Sequence, residues 1–251
     1  MRSTEPTDVP PNFLTTIEEF VFIGRNLSQG EENLDTFQFG KTSTLLPMLG
    51  YRFGRSGSQV LILGGVHGNE PEGVIAALGL IQHFFESFTY NLRITVVPQF
   101  NLDGIMTQSR KNARGVDLNR NLPTKDWTRD VKEEKYFPGI EPNSEPENKA
   151  LVTWINENKP SFIISLHSWK PLLNVNGACR PEAEVLAKLT GYSIEEDIGY
   201  PTPGCLGTYC GLERNIPTLT YEIERGLTHE PIQKIHIPAI LEALKVTEGR
   251  F

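Results

Sequence analysis

The apolar residues of this chain fall into short uninterrupted runs, separated by stretches with helical spacing. QVLIL (59 to 63) is wholly apolar, RITVVPQF (93 to 100) is rich in β-branched residues, and SFIISL (161 to 166) and TLTYEI (218 to 223) share that character. Such runs predict strands, and a run without polar alternation predicts a strand covered on both faces. In PEGVIAALGLIQHFFESF (71 to 88), Val74, Ile75, Leu78, Ile81, Phe84 and Phe85 recur at helical spacing, and Pro71 suits a first turn. Two more helices are predicted at 144 to 158 and 181 to 190, and a closing helix at 234 to 246, interrupted early by Pro238. Strands alternating with helices predict an α/β layer fold. Residues 101 to 143 and 199 to 217, with their Gly, Pro and Asp, predict long loops, and loops of that length often carry function.

Length and charge narrow the picture. The 251 residues suit one sizeable core, so a single domain over 1–251 is expected, with 1–15 a flexible N-terminal extension. A net charge of -7 argues against nucleic acid or an anionic membrane surface as a partner, since both need clustered positive charge. The opening MRSTEPTDVPPNFL lacks the apolar core of a signal peptide, and no stretch approaches a spanning helix. A cytoplasmic location is expected, with the periplasm as the alternative if a leader has been removed. Cys179, Cys205 and Cys210 are odd in number and form no C-x-x-C pair, so inert thiols are expected rather than a structural zinc site, with room for at most one disulfide.

Four pieces carry chemistry. GGVHGNE (64 to 70) leaves the first apolar run through two glycines and sets His67 and Glu70 three apart, at a strand end where open α/β sheets bind ligands. Such a pair can reach one metal ion. SFIISLHSW delivers His167 to the end of another strand, and His, Glu and His together make a ligand set that leaves a fourth zinc position open. In TLTYEIER, Thr220, Glu222 and Glu224 alternate with apolar residues; on an edge strand both glutamates would face solvent, but inside a covered sheet one of them is a candidate general base. QSRKNARGVDLNRNLP (108 to 123) gathers Arg110, Arg114 and Arg120 around Asn119, residues suited to gripping carboxylates and stabilising oxyanions. His83 reads as a surface helix residue, and His229 and His236 as solvated.

In this order HGNE, SRKNARGVDLNRN, SLHSW and LTYEIE resemble the zinc carboxypeptidase superfamily M14, over residues 64 to 224. RKNARGVDLNRN with GGVHGNEPEG looks most like its compact bacterial branch, which contains murein peptide amidases. The resemblance implies a mixed central β-sheet flanked by helices and one Zn²⁺ per chain. It implies His67, Glu70 and His167 as zinc ligands, Glu222 rather than Glu224 as general base, and Arg110 as the group polarising the scissile carbonyl. Asn119 and Arg120 match the pair that grips a terminal carboxylate, and Tyr200, four residues ahead of Gly204, matches a mobile tyrosine of the family. The implied activity is amide hydrolysis in a short peptide with a free carboxylate, above all a cell-wall peptide at diaminopimelate. An N-acyl amino acid deacylase of the aspartoacylase and succinylglutamate desuccinylase type shares HGNE and D-L-N-R and is the alternative, with an inactive peptide-binding homologue as a third reading. YPTPGCLGTYCGL (200 to 212) matches no side-chain pocket of that family, which leaves the residue preference open.

Overall fold

The computed structural model describes residues 35–251, which form one unit. The extension expected at 1–15 lies outside the described residues. Eight strands, β1 (Asp35–Lys41), β2 (Pro47–Phe53), β3 (Ser58–Gly64), β4 (Leu92–Val97), β5 (Phe162–Trp169), β6 (Leu172–Asn176), β7 (Ser193–Glu195) and β8 (Thr218–Glu224), make one mixed sheet in the order β1-β2-β4-β3-β5-β8-β6-β7. The four apolar runs of the sequence are β3, β4, β5 and β8, which lie side by side and parallel at its centre. Successive side chains of a strand point to opposite faces, and Val60, Leu61, Ile62 and Leu63 are all fully buried, so both faces here are covered.

The helices are α1 (Pro71–Glu86), α2 (Leu102–Thr107), α3 (Pro146–Asn158), α4 (Arg180–Thr190) and α5 (Ile237–Arg250). Leu61, Leu63, Val97 and Ile163 pack in one core cluster with Trp154 and Ile155 of α3. α1 packs on β3, β4 and β5, and α5 packs on α4. The fold is the expected α/β arrangement of a mixed sheet flanked by helices.

The structure departs from the sequence pattern in several places. β1, β2, β6 and β7 fall outside the apolar runs because they are short, half exposed or interrupted by glycine; β1 and β2 pair only through a register shift between Gln38 and Gly40. Within the expected loops, α2 forms at 102–107 and Gly207–Leu212 winds as a π-type turn. The closing helix is reached through a short helical turn at His229–Pro231 and a π-type segment at Ile232–His236, and the regular α-helix starts only at Ile237, with Pro238 in its first turn. His236 is buried at 3% exposure rather than solvated. Tyr221 Oη hydrogen-bonds its Nδ1 at 2.6 Å, and burial lowers its pKa to about 4. His83 and His229 are half-buried.

Candidate active site

β3 and β5 are neighbours, with Gly64 opposite Leu166, so whatever follows Gly64 meets His167 at the carboxyl edge of the sheet. Two glycines of this turn, Gly65 and Gly68, matter here for separate reasons. Gly65 adopts φ +67°, a conformation that L side chains rarely take. At Gly68, a Cβ would come within 1.9 Å of the backbone of Gly104, so the turn can press against the start of α2 only without a side chain. The turn carries His67 inward, and Glu70 takes the N-cap position of α1 yet makes no cap hydrogen bond with its side chain. Its carboxylate points instead at the histidines.

His67 Nδ1 lies 3.0 Å from Glu70 Oε1, His167 Nδ1 lies 2.9 Å from Glu70 Oε2, and the two Nδ1 atoms are 3.1 Å apart. The outer nitrogen of each ring is occupied. His67 Nε2 donates to Asp117 Oδ1 at 3.1 Å, and His167 Nε2 meets Ser165 Oγ at 3.0 Å. With its proton on Nε2, a neutral His67 ring turns a lone pair toward the carboxylate and the other imidazole. The three side chains are buried to 3%, 4% and 1% exposure, so such a concentration of electron pairs calls for a cation at its centre. Among the described residues this is the group of histidine and carboxylate side chains able to hold a metal ion. Two imidazole nitrogens and a carboxylate, each steadied from outside, fit a catalytic zinc.

Asp117 was not singled out in the sequence, although its place in D-L-N-R, two residues before Asn119, was the available signal. It is fully buried; Oδ2 accepts from Arg110 Nε at 2.9 Å, and Oδ1 also accepts from the backbone of Asn119 at 3.0 Å. Burial raises its pKa, but His67, Arg110 and Arg120 outweigh that and hold its carboxyl well below the usual carboxylate range. For His67, burial acts to lower the pKa and the charges of Glu70 and Asp117 raise it, with a net rise. Glu70, despite its burial, is held well below its ordinary value by the two histidines. Ser165 follows from strand periodicity, since residues two apart share a face.

β8 lies between β5 and β6, so TLTYEI is not an edge strand, and Glu222 stands directly opposite His167. Glu222 Oε2 is buried and has no hydrogen-bond partner among the described residues. Burial, reinforced by Glu70, pushes its pKa up to about 7 against the opposing pull of His167, Arg110 and Arg225. Glu224 is exposed.

Glu222 opens onto a cavity of about 340 Å³ that is also lined by Arg110, Asn119, Arg120, Tyr136, Tyr200 and Arg225. Arg110, Asn119, Arg120 and Tyr200 thus gather around Glu222 and the His67, Glu70 and His167 group, whereas Arg114 lies apart, exposed and 3.9 Å from Glu145. Asn119 Oδ1 accepts from the backbone N–H of Leu206 at 2.9 Å, and Arg120 is buried, its Nη1 donating to the Asn119 carbonyl at 2.7 Å. Asn121 anchors this loop: its amide donates to Pro138 O, Glu141 O and Ser144 Oγ and accepts from Glu145 N and Asn148. Tyr136 stacks near both Arg110 and Arg120, at 5.3 and 5.1 Å, and Tyr200 packs between Tyr136 and Trp169. Arg225 is 3.3 Å from Glu70 Oε1. Tyr136 and Arg225 carried no signal in the sequence. The three cysteines are unpaired and buried.

The family model for zinc carboxypeptidases, peptidase family M14, matches residues 26–190. This chain therefore belongs to the zinc carboxypeptidase family and is a hydrolase of peptide bonds. It is 33% identical over 202 residues to murein peptide amidase A of Vibrio campbellii, covering 76% of this chain and 79% of that protein. Its fold is similar to that of the murein-tripeptide amidase MpaA from Escherichia coli O157, with a TM-score of 0.72 and 24% identity over 87% of this chain and 95% of that one. It is also similar to carboxypeptidase A from Helicoverpa armigera, with a TM-score of 0.76 and 17% identity over 92% and 71% of the two chains.

Proposed function

We propose that this chain is a single-domain, zinc-dependent murein peptide amidase, which cuts an amide bond beside diaminopimelate in a short cell-wall peptide. The observation that carries this reading is the convergence of His67, Glu70 and His167 beside Glu222, whose Oε2 is buried and lacks a partner. The curated relatives that bear the name murein peptide amidase support the substrate. His67, Glu70 and His167 would hold one zinc, which would supply Lewis acidity at the reaction centre.

The protein's own groups do the rest. Asn119 and Arg120 grip the terminal carboxylate of the substrate and set the scissile carbonyl near Arg110. Glu222, with a pKa near neutrality, takes a proton from the attacking water and returns it to the leaving amine. The Arg110 guanidinium, held by Asp117, faces the developing oxyanion. Tyr200, which lines the cavity, covers the bound peptide.

No helix among the described residues is long and apolar enough to cross a membrane. Three unpaired thiols suit a reducing compartment, which supports placing the reaction in the cytoplasm.

Digestion of a defined muropeptide set, read by mass spectrometry, tests the proposal. Release of diaminopimelate-containing fragments is expected; release of C-terminal amino acids from ordinary peptides alone would replace the amidase with a simple carboxypeptidase.

A further inference from the structure

Among the described residues, the cationic side chains lining the cavity are Arg110, Arg120, Lys135 and Arg225, against the carboxylates Glu70 and Glu222. In a chain of net charge -7, that excess is local to the site. Arg110 is held by Asp117 at 2.9 Å, Lys135 pairs with Glu133 at 2.8 Å, and Arg120 is assigned with Asn119 to the terminal carboxylate. Arg225 has no such arrangement. Its ion pair, at 3.3 Å, is with Glu70, a carboxylate that also serves His67, His167 and Arg110. A metal held by Glu70 would claim that charge and leave the guanidinium short of a counter-ion.

The backbone fixes where this guanidinium stands. Arg225 follows β8 directly, and its N–H extends the ladder to Trp169 O at 3.0 Å. The next residue is pinned as well, since Gly226 N donates to the buried Glu72 at 2.6 Å. Arg225 Nη1 donates to Asn69 O at 3.1 Å and Nη2 to Ser168 O at 2.9 Å, which folds the side chain over the end of β5 and the turn after β3. Its Nε–H makes no hydrogen bond among the described residues, and the side chain is 44% exposed. The group is thus held in place, always charged, and reachable from the cavity.

Glu222 divides the substrate's path. The carboxylate grip lies toward the amino end of β8: Asn119 accepts from Leu206 N, and the adjoining Gly207 packs on Asn176, directly opposite Thr218, four residues before Glu222. Arg225 comes three residues after it. At about 3.3 Å per residue, the two positions lie roughly 13 and 10 Å from Glu222, in opposite directions along the strand. A peptide held by Asn119 and Arg120 therefore keeps the released residue on one side of Glu222 and extends its acyl part toward Arg225. Because the guanidinium reaches back to Glu70, it meets the residue joined to the scissile carbonyl rather than one farther along. A carboxylate on that residue would otherwise face Glu70 and Glu222; with Arg225 there, it gains a partner.

We infer that Arg225 is a specificity-determining residue, which binds a carboxylate on the acyl-side residue, the one that keeps the carbonyl of the cut bond. The unengaged Nε–H donates to it, and a charge-assisted bond of this kind is about twice as strong as a neutral one. Such a carboxylate is either a side chain or the main-chain carboxyl of a residue joined through its side chain. The inference rests on the reading of the site as a peptide amidase, and it adds the group required on the acyl side.

Two measurements test it separately from that reading. The first compares kcat/KM for peptides with one released residue and, on the acyl side, glutamate or its neutral amide, joined through the main-chain or the side-chain carboxyl. The second is calorimetric binding of the same peptides with a methylene-amine in place of the scissile amide, which needs no turnover. In the preferred linkage the acid is expected to exceed the amide by about tenfold or more in both, and Arg225→Gln should bring the ratio to within about twofold. Arg225→Lys, which keeps the charge, should restore part of it. The linkage with the larger margin identifies the carboxylate. Acid and amide equal in both linkages overturn the inference, however rapid the hydrolysis. A margin that survives Arg225→Gln, even where both peptides lose rate, overturns it too and makes Arg225 a support for Glu70. A binding margin that Arg225→Gln removes, without cleavage of any peptide, leaves the carboxylate site standing and removes the hydrolytic reading.

Discussion

Replacing Asp117 with asparagine tests how tightly the metal ligands and the substrate arginine are joined. The side chain is fully buried, and its two oxygens serve three partners: His67 Nε2 at 3.1 Å, Arg110 Nε at 2.9 Å and the Asn119 backbone at 3.0 Å. Asparagine keeps the shape and one acceptor but removes the charge, so if Oδ1 still serves His67 and Asn119, the new NH₂ faces the Arg110 N–H, donor against donor. A hydrogen bond to a charged group contributes about 1.5–3 kcal/mol, and each ~1.4 kcal/mol is tenfold, so kcat/KM should fall about 10- to 100-fold even with zinc saturating. Loss of the carboxylate behind His67 should weaken zinc binding by a similar ~10- to 100-fold. Zinc affinity is read by competition with a chromogenic chelator, and kcat/KM on the muropeptide at several zinc concentrations. If Asp117→Asn leaves both within twofold of the parent, Asp117 does not couple the two halves of the site.

Glu222→Gln should keep one zinc per chain by metal analysis while kcat falls about 10²- to 10⁴-fold, the span expected for loss of a proton-transfer group; full turnover removes Glu222 from that role. Arg120→Ala should raise KM at least tenfold for a peptide with a free terminal carboxylate and much less for its amide, and equal effects on both would take Arg120 out of the carboxylate grip. The third prediction concerns stability. His236 titrates at about 4 in the fold against an ordinary 6.5, so as the pH falls from 6.5 to 4 the unfolded chain takes up a proton that the folded one refuses. Stability present above pH 6.5 should decline by up to about 3 kcal/mol over that window, and His236→Asn, which keeps an acceptor for Tyr221, should flatten the decline in chemical denaturation. An unchanged pH profile would show that His236 is not its source.

The centre of this fold was legible in the sequence and its margins were not. β3, β4, β5 and β8 announce themselves as apolar runs because parallel strands covered on both faces tolerate little else. β1, β2, β6 and β7 lie at or near the sheet's two ends, where exposure and short length dilute any pattern. At the site, the residues expected to hold metal stand at strand ends, where a polar residue interrupts an apolar run and draws the eye. Asp117 and Asn121 were hidden because their work is done in three dimensions, through partners such as His67, 50 residues away, and Glu145, 24 residues away. Tyr136 comes from a segment whose local composition is that of any loop, and Arg225 directly follows β8, where the two glutamates draw attention first. His236 was misjudged because its partner, Tyr221, lies on the reverse of the strand from Glu222, and single-sequence reading gave no sign that the two would meet.

The candidate ligands come from the turn after β3 and from β5, neighbours in space but 97 and 100 residues apart along the chain. A growing polypeptide that has not yet exposed β5 has only His67 and Glu70 to offer, too few to retain zinc, and Glu222 emerges later still. Capture of a metal there during synthesis must therefore wait until His167 has left the ribosome, and Glu222 follows 55 residues after it. The nascent protein is thus safe from its own chemistry until the sheet that houses it is almost whole.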